Sequence, residues 1–89
     1  METRRRSQAG AAEIAEDLRF IERAVTSAAI QRHARPGEMI PTEEWQRQLP
    51  PEAPARLRQN ARDPFGRAYG PQQADRAPQP PPETARLLE

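Results

Sequence analysis

The sequence lacks several residue types, and each absence excludes a class of protein. None of its 89 residues is cysteine, so disulfides cannot stabilise the chain. With one histidine and no cysteine, it cannot build a His/Cys zinc site. Alanine supplies about half of the hydrophobic residues, so large apolar side chains are few. A domain this small with so thin a core is expected to gain support from a partner surface.

Charge and hydropathy exclude further classes. The 14 cationic residues are all arginine, and 13 acids leave a net charge of +1. Because the two signs alternate along the chain, no nucleic-acid partner is predicted. No apolar run approaches the roughly 20 residues needed to cross a bilayer. The basic start is followed by Ser7-Gln8-Ala9-Gly10 instead of the apolar stretch of a secretory signal, so the chain as written is expected to be soluble.

Proline divides the sequence into two parts. Residues 1–35 contain none, whereas all 11 prolines lie between Pro36 and Pro82. Since proline breaks helix interiors, only the first part can form a long helix. We predict that this helix runs from about Ser7 to about Ala34 and ends at the Pro36-Gly37 stop signal. Residues 36–89 are predicted to form a Pro-rich cap and tail on this helix, within one small α+β domain.

The apolar spacing of the first part supports this helix. Four large side chains recur every three or four residues and line one stripe: Ile14, Leu18, Ile21 and Val25. Glu16, Arg19 and Glu22 have the spacing of ion pairs on the outer surface. Phe20 lies to one side of the stripe and Ile30 lies roughly opposite it. Apolar residues on more than one side of a helix indicate more than one packing partner.

The second part has weaker local signals. Thr42 is a candidate N-cap for a short helix over about Glu43–Gln48. Turn residues flank Phe65 and Tyr69, which favours a short hairpin or a pair of extended segments there. The Pro78–Pro82 stretch is predicted to be extended polyproline II, as a spacer, a clasp or a ligand for an aromatic groove. Thr84–Glu89 can close the chain with one helical turn that uses Leu87 and Leu88.

Nothing in the sequence indicates catalysis. His33 lies near the predicted helix end, where an imidazolium suits the helix dipole, and it has no serine or cysteine partner. Ser7 and Ser27 fall inside the helix without the context of a nucleophile elbow. The four glycines stand apart, so no phosphate-binding loop is present. We therefore predict no enzyme activity, no cofactor and no metal site.

The order of elements resembles the type IV pilin-like proteins, in particular the major pseudopilin of type II secretion and its bacterial relatives. A long helix ending in a stretch like Asp17–Val25 is followed by a loop and a Pro-Thr pair, here Pro41-Thr42. Next comes a segment similar to the family's Asp-Pro-Trp-Gly-x-Pro-Tyr, here Asp63–Tyr69, with Phe65 and Ala68 at the Trp and Pro positions. Gly70-Pro71, Asp75, Pro78 and Thr84–Leu87 continue in the order that some relatives show.

This resemblance implies a structural subunit of an envelope fibre used in secretion or pilus function. The expected partners are other pilin-like subunits and the assembly machinery, at the periplasmic or extracellular face of the bacterial inner membrane. The family begins with a cleavage site and an apolar membrane helix, so the natural polypeptide is expected to extend upstream of Met1. The acidic loop with which many major pseudopilins bind calcium has no counterpart here, so calcium is not predicted.

Two sets of site residues follow from the helix pattern and the resemblance. Helix packing or assembly is assigned to Ile14, Leu18, Phe20, Ile21, Val25 and Ile30. The cap and its turn are assigned to Trp45, Leu49, Leu57, Asp63, Pro64, Phe65, Gly66 and Tyr69.

Two other functions fit the composition. One is a cytoplasmic adaptor or antitoxin-like protein, with a dimerising N-terminal helix and a tail that folds on its partner. The other is a small nucleic-acid binder, for which Arg4-Arg5-Arg6 is the only basic cluster. The pilin-like interpretation predicts a monomeric domain with a cooperative melt, the adaptor predicts a dimer with a disordered tail, and the nucleic-acid binder predicts salt-dependent DNA affinity.

Overall fold

A computed structural model describes the backbone of residues 2–87 and the side chains of residues 10–87. The protein is a small α+β unit in which a long N-terminal helix carries several short elements. In chain order these are α1 Glu2–Gln31, β1 Met39–Ile40, α2 Thr42–Arg47, α3 Ala55–Asn60, β2 Gln72–Gln73 and α4 Pro82–Leu87. At about 1.5 Å per residue, α1 is about 45 Å long, close to the 47 Å maximum extent of the molecule.

Helix α1 ends before the predicted Ala34 because its last turn closes in a Schellman motif. The amide of Ala34 donates to the carbonyl of Ala29 at 2.9 Å, and that of His33 donates to Ile30 at 3.2 Å. His33 occupies the left-handed position of the motif with φ 54°. Proline 36 therefore follows the helix end without causing it, and His33 acts through its backbone conformation.

Replacing His33 by glycine is expected to raise the free energy of unfolding by about 0.5–1 kcal/mol, because glycine adopts positive φ without a Cβ clash. Chemical denaturation measures this directly. The matched control is Glu22→Gly, at an exposed position inside the helix, which should lower stability by about 0.5–1 kcal/mol. Equal losses in both variants would contradict a left-handed cap at His33.

Two short helices shape the cap. Helix α2 begins at Thr42, and Pro41 is its N-cap, so the prediction that Thr42 caps it is wrong. The Thr42 hydroxyl instead donates to the carbonyl of Tyr69 at 3.4 Å. Helix α3 was not predicted, because the prolines before it and its single large apolar residue, Leu57, leave no periodic pattern.

The strands lie outside the segment for which a hairpin was predicted. β1 and β2 pair antiparallel, with Met39 opposite Gln73 and Ile40 opposite Gln72. Around Phe65 the backbone forms only one isolated antiparallel bridge, between Arg62 and Ala68. Two-residue strands give no alternation that a sequence pattern could reveal.

The C-terminal segment, residues 78–87, folds back as a strap over the cap. The Gln72 side chain holds it twice: Oε1 accepts from the amide of Gln79 at 2.9 Å, and Nε2 donates to the Gln79 carbonyl at 3.2 Å. Pro78 and Pro81 are buried, so the Pro-rich stretch serves this chain as a clasp. The helical turn predicted over Thr84–Glu89 is α4, which begins at Pro82; Leu88 and Glu89 lie outside the described residues.

Helix and cap share one hydrophobic core. From α1 it takes Ile21, Ala24, Val25 and Ala28; from the cap it takes Ile40, Trp45, Ala53, Leu57, Ala61 and Tyr69. Ile14 is buried on the same side of α1, and Leu18 and Leu49 are half-buried at the core's edge. Neither part could bury these side chains alone, so the apolar stripe of α1 depends on the cap and the cap depends on the stripe.

Candidate functional site

A buried carboxylate joins three separate segments of the chain. Asp17 lies on the inner side of α1, three residues after Ile14 and four before Ile21, and it is fully buried. The Arg56 guanidinium of α3 donates to both of its oxygens, from Nη1 to Oδ2 at 2.7 Å and from Nη2 to Oδ1 at 3.1 Å. The Tyr69 hydroxyl donates to Oδ2 at 2.9 Å. We call Asp17, Arg56 and Tyr69 the clamp, because together they fix α3 and the Tyr69 segment against α1.

The electrostatics of the clamp keep each donor protonated. Partial burial lowers the pKa of Arg56, but the hydrogen bonds and charge of Asp17 outweigh this and raise it overall. Burial, followed by the charge of Asp17 and the hydrogen bond to it, raises the pKa of Tyr69 far above its ordinary value. The Tyr69 hydroxyl therefore remains a donor at any physiological pH. These hydrogen bonds hold the three side chains together across the interface between helix and cap.

The Asp63–Gly66 turn is built around a second buried carboxylate. Oδ1 of Asp63 accepts from the amides of Phe65 and Arg67, both at 2.9 Å. The backbone closes the same turn, since the Asp63 carbonyl accepts from the Gly66 amide at 3.0 Å, and the Asp63 amide donates to the Arg67 carbonyl at 2.8 Å. Pro64 suits the second position of this turn, and Gly66 supplies φ +88°, which other residues rarely adopt. The other oxygen of Asp63 accepts from the Thr84 hydroxyl of the strap.

Replacing Thr84 by valine is expected to lower the free energy of unfolding by about 1.5–3 kcal/mol, because the buried Asp63 carboxylate loses a donor while the volume stays nearly constant. Thermal melting measures the loss. Thr26→Val on the exposed side of α1 is the matched control and should change stability by less than about 0.5 kcal/mol. Equal melting temperatures for the two variants would mean that the strap is not anchored at Asp63.

The Phe65 ring, which the sequence assigns to the cap and its turn, rests on α1. It lies directly over Gly10 of α1, so a Cβ added at Gly10 would overlap the ring. The Phe65 side chain is nevertheless 39% exposed. The ring thus touches the helix at its one glycine but contributes less buried area than a core aromatic.

Trp45 and Tyr69 form the aromatic centre of the cap. Both are buried, and their rings meet edge to face with centroids 6.4 Å apart. The Trp45 indole N–H donates to the carbonyl of Gly70 at 3.3 Å. The segment that follows the Asp63–Gly66 turn is therefore tied to α2 as well as to α1.

The outer face of α1 is the surface that the core leaves free. Six exposed residues follow one another along it, opposite the buried stripe: Ala12, Glu16, Arg19, Arg23, Thr26 and Ile30. Ile30 is 70% exposed, and the shallow grooves on its two sides have volumes of about 550 and 450 Å³. Phe20 lies at the flank of this face and is half-buried against the core.

The charges predicted to pair on the outer face do not pair. Within residues 10–87, no ion pair involves Glu16, Arg19, Glu22 or Arg23. The observed pairs lie at the cap, such as Arg32 with Glu38 and Glu44, each at 3.3 Å. The outer face therefore presents unpaired charges of both signs together with an exposed isoleucine.

Sequence reasoning identified the turn but missed the clamp. Asp17 and Thr84 entered the sequence analysis only as ends of segments, and no contact was predicted for them, for Arg56 or for Gly10. A signal for Asp17 was present, since an acid at a core position of an otherwise apolar stripe requires a buried donor. Nothing marked Arg56 among 14 arginines.

The described residues hold no group of three or more His, Asp or Glu side chains close enough to share a metal ion. The carboxylates of Asp63 and Asp75 are engaged within the chain, Asp75 by the amide of Gly37 at 2.7 Å. Among the described helices, none combines the length and the hydropathy of a membrane span.

Comparison with known proteins gives no relative: no protein-family model, curated protein or solved structure matches the chain. The functional proposal therefore draws on the geometry together with the sequence resemblance described above.

Proposed function

We propose that this chain is a structural subunit, the exposed domain of a pilin-like or pseudopilin-like envelope fibre that assembles through its N-terminal helix. The observation that carries the proposal is that α1 has a buried face and, opposite it, an exposed face. One face is buried under the cap, and the opposite face presents Ile30 and unpaired charges. A helix that anchors a small domain on one side and is free along the other suits lateral packing in a fibre.

The Asp63–Tyr69 segment supports the same proposal through the role of each residue. Asp63 organises the turn, Pro64 and Gly66 provide its geometry, and Tyr69 reaches back to Asp17 on the helix. This is the segment that resembles the family's distinctive motif. The turn reverses the chain so that Tyr69 contacts the helix. A cap that is carried on a fibre-forming helix needs such a contact to stay attached.

The order of the tail favours the fibre subunit over an adaptor. An adaptor whose tail folds on its partner needs a tail without internal contacts. Here Gln72 and Asp63 hold the strap by side-chain hydrogen bonds, and Arg67 pairs with Glu83 at 3.0 Å. The dimerising helix of the adaptor hypothesis would use the same outer face of α1, so an experiment in the source cells must separate the two functions.

Fractionation of the source cells, followed by intact mass measurement of the native protein, makes that separation. The fibre subunit predicts a membrane-bound species heavier than 10.1 kDa by an apolar helix of roughly 20–30 residues. A species of 10.1 kDa in the soluble fraction would overturn the proposal and favour the adaptor.

A further inference from the structure

We infer that the outer face of α1 packs against the flank of α1 in a second copy, parallel and displaced by ten residues along the helix. In this contact Ile30 lies on Phe20 of the next copy, and Arg23 lies beside its Glu13. The inference rests on the proposed fibre function and specifies the contact through which the fibre grows.

The spacing of the side chains selects the offset. The outer arginines Arg19 and Arg23 can meet the acids Glu13 and Glu16 of another copy at displacements of three, six, seven or ten residues. Only the displacement of ten also brings together Ile30 and Phe20, the two large apolar side chains of α1 that lie off its buried stripe. At about 1.5 Å per residue it corresponds to a step of about 15 Å along the helix.

Charge complementarity supports the same register. Arg23 and Glu16 form no ion pair within residues 10–87. Glu13 pairs with Arg56 at 3.7 Å, but 57% of its side chain remains exposed to a second cation. In the displaced pair, Arg23 faces Glu13 directly and Glu16 lies one turn further along. Opposite charges at this contact would fix the register, while Ile30 contributes the apolar area.

The two faces that each helix uses for this contact point in different directions, so the contact can repeat from copy to copy without closing. Ten residues at 3.6 per turn fall about 80° short of three full turns, so the two contacting faces of one helix differ by that angle. Each copy therefore uses its outer face toward one neighbour and its Phe20 flank toward the other. Such a head-to-tail contact does not close into a dimer and generates a helical filament.

Photo-crosslinking of the chain itself tests this contact. The photoreactive amino acid p-benzoylphenylalanine replaces Ile30, and the protein is irradiated at about 1 mM. Trypsin cleaves after Arg19 and Arg23, so the expected adduct joins the Ile30 peptide to residues 20–23 of another copy. The same probe at Glu22, which is exposed but lies about 200° around the helix from Phe20, is the control and should give at least tenfold less adduct.

Charge reversal then tests the register. Because Arg23→Glu removes the tryptic site that defines the 20–23 peptide, the yield is read here as crosslinked dimer on a denaturing gel. Arg23→Glu should reduce this yield at least tenfold, as should Glu13→Arg, and the double variant should restore it. An adduct between two Ile30 peptides would indicate a two-fold dimer and overturn the inference. Absence of any adduct, or a yield unaffected by the reversals, would also overturn it. The proposed function would survive either result if the native protein is still the heavier, membrane-bound species.

Discussion

Asp17→Ala is expected to lower the free energy of unfolding by about 3 kcal/mol. Removing one partner of a buried ion pair typically costs about 3–5 kcal/mol, because the charge left behind has no compensation. We expect a cost near the lower end of this range, because the Arg56 side chain is 30% exposed and its freed guanidinium can be hydrated. The Tyr69 hydroxyl, which is buried, loses its acceptor as well. At about 4–8 °C per kcal/mol for a domain of this size, the melting temperature should fall by about 12–24 °C.

The neighbouring acid provides the matched control for the clamp. Glu16 is exposed on the outer face of α1, and Glu16→Ala should change the free energy of unfolding by less than about 0.5 kcal/mol. Both variants are measured at low protein concentration, so that self-association does not contribute. Equal melting temperatures for Asp17→Ala and Glu16→Ala would mean that the clamp does not hold the cap on the helix.

Trp45→Ala is expected to have the largest effect of any single truncation. The side chain is fully buried, and removing a buried aromatic ring costs about 3–5 kcal/mol. The variant also loses the edge-to-face contact with Tyr69 and the indole N–H donor to the Gly70 carbonyl, which keeps its hydrogen bond from Gln72. At about 4–8 °C per kcal/mol for a domain of this size, the melting temperature should fall by about 12–40 °C.

The matched control is Phe65→Ala, another aromatic truncation in the cap. Since the Phe65 ring is 39% exposed and rests on Gly10, its loss should cost only about 1 kcal/mol. Urea denaturation of both variants measures the contrast. If Phe65→Ala proved as destabilising as Trp45→Ala, the contact of the Phe65 ring with α1 would stabilise the fold more than the exposure of the ring indicates.

The long helix and its buried face were predictable because they depend on local patterns. The proline-free segment and the spacing of Ile14, Ile21 and Val25 indicate a helix with one apolar side, and the structure buries these residues. The Asp63–Gly66 turn was also visible, because aspartate, proline and glycine favour turns for separate local reasons. These features require no knowledge of where the rest of the chain lies.

The clamp and the strap were not predictable because they join distant segments. Asp17 and Tyr69 are 52 residues apart, and Asp63 and Thr84 are 21 apart. No local pattern in a single sequence specifies which of 14 arginines reaches a buried acid. Helix α3 and the two-residue strands were missed for a related reason, since such short elements are stabilised by their tertiary surroundings.

The clamp gives the fold a defined register between helix and cap. Leucine and alanine side chains can slide against one another at small cost, whereas a bidentate Arg56–Asp17 pair is satisfied in one position only. With so few large apolar residues, this polar contact fixes how the cap sits on α1. The outer face of α1, including Ile30, is thereby kept clear of the chain's own cap.

Immunogold electron microscopy of the source cells tests the central claim most directly. Antibodies against the cap, residues 36–87, should label filaments or their membrane-attached bases at the cell envelope, with a regular spacing along each filament. Label spread through the cytoplasm, with envelope filaments bare, would contradict the assignment of this chain as a fibre subunit.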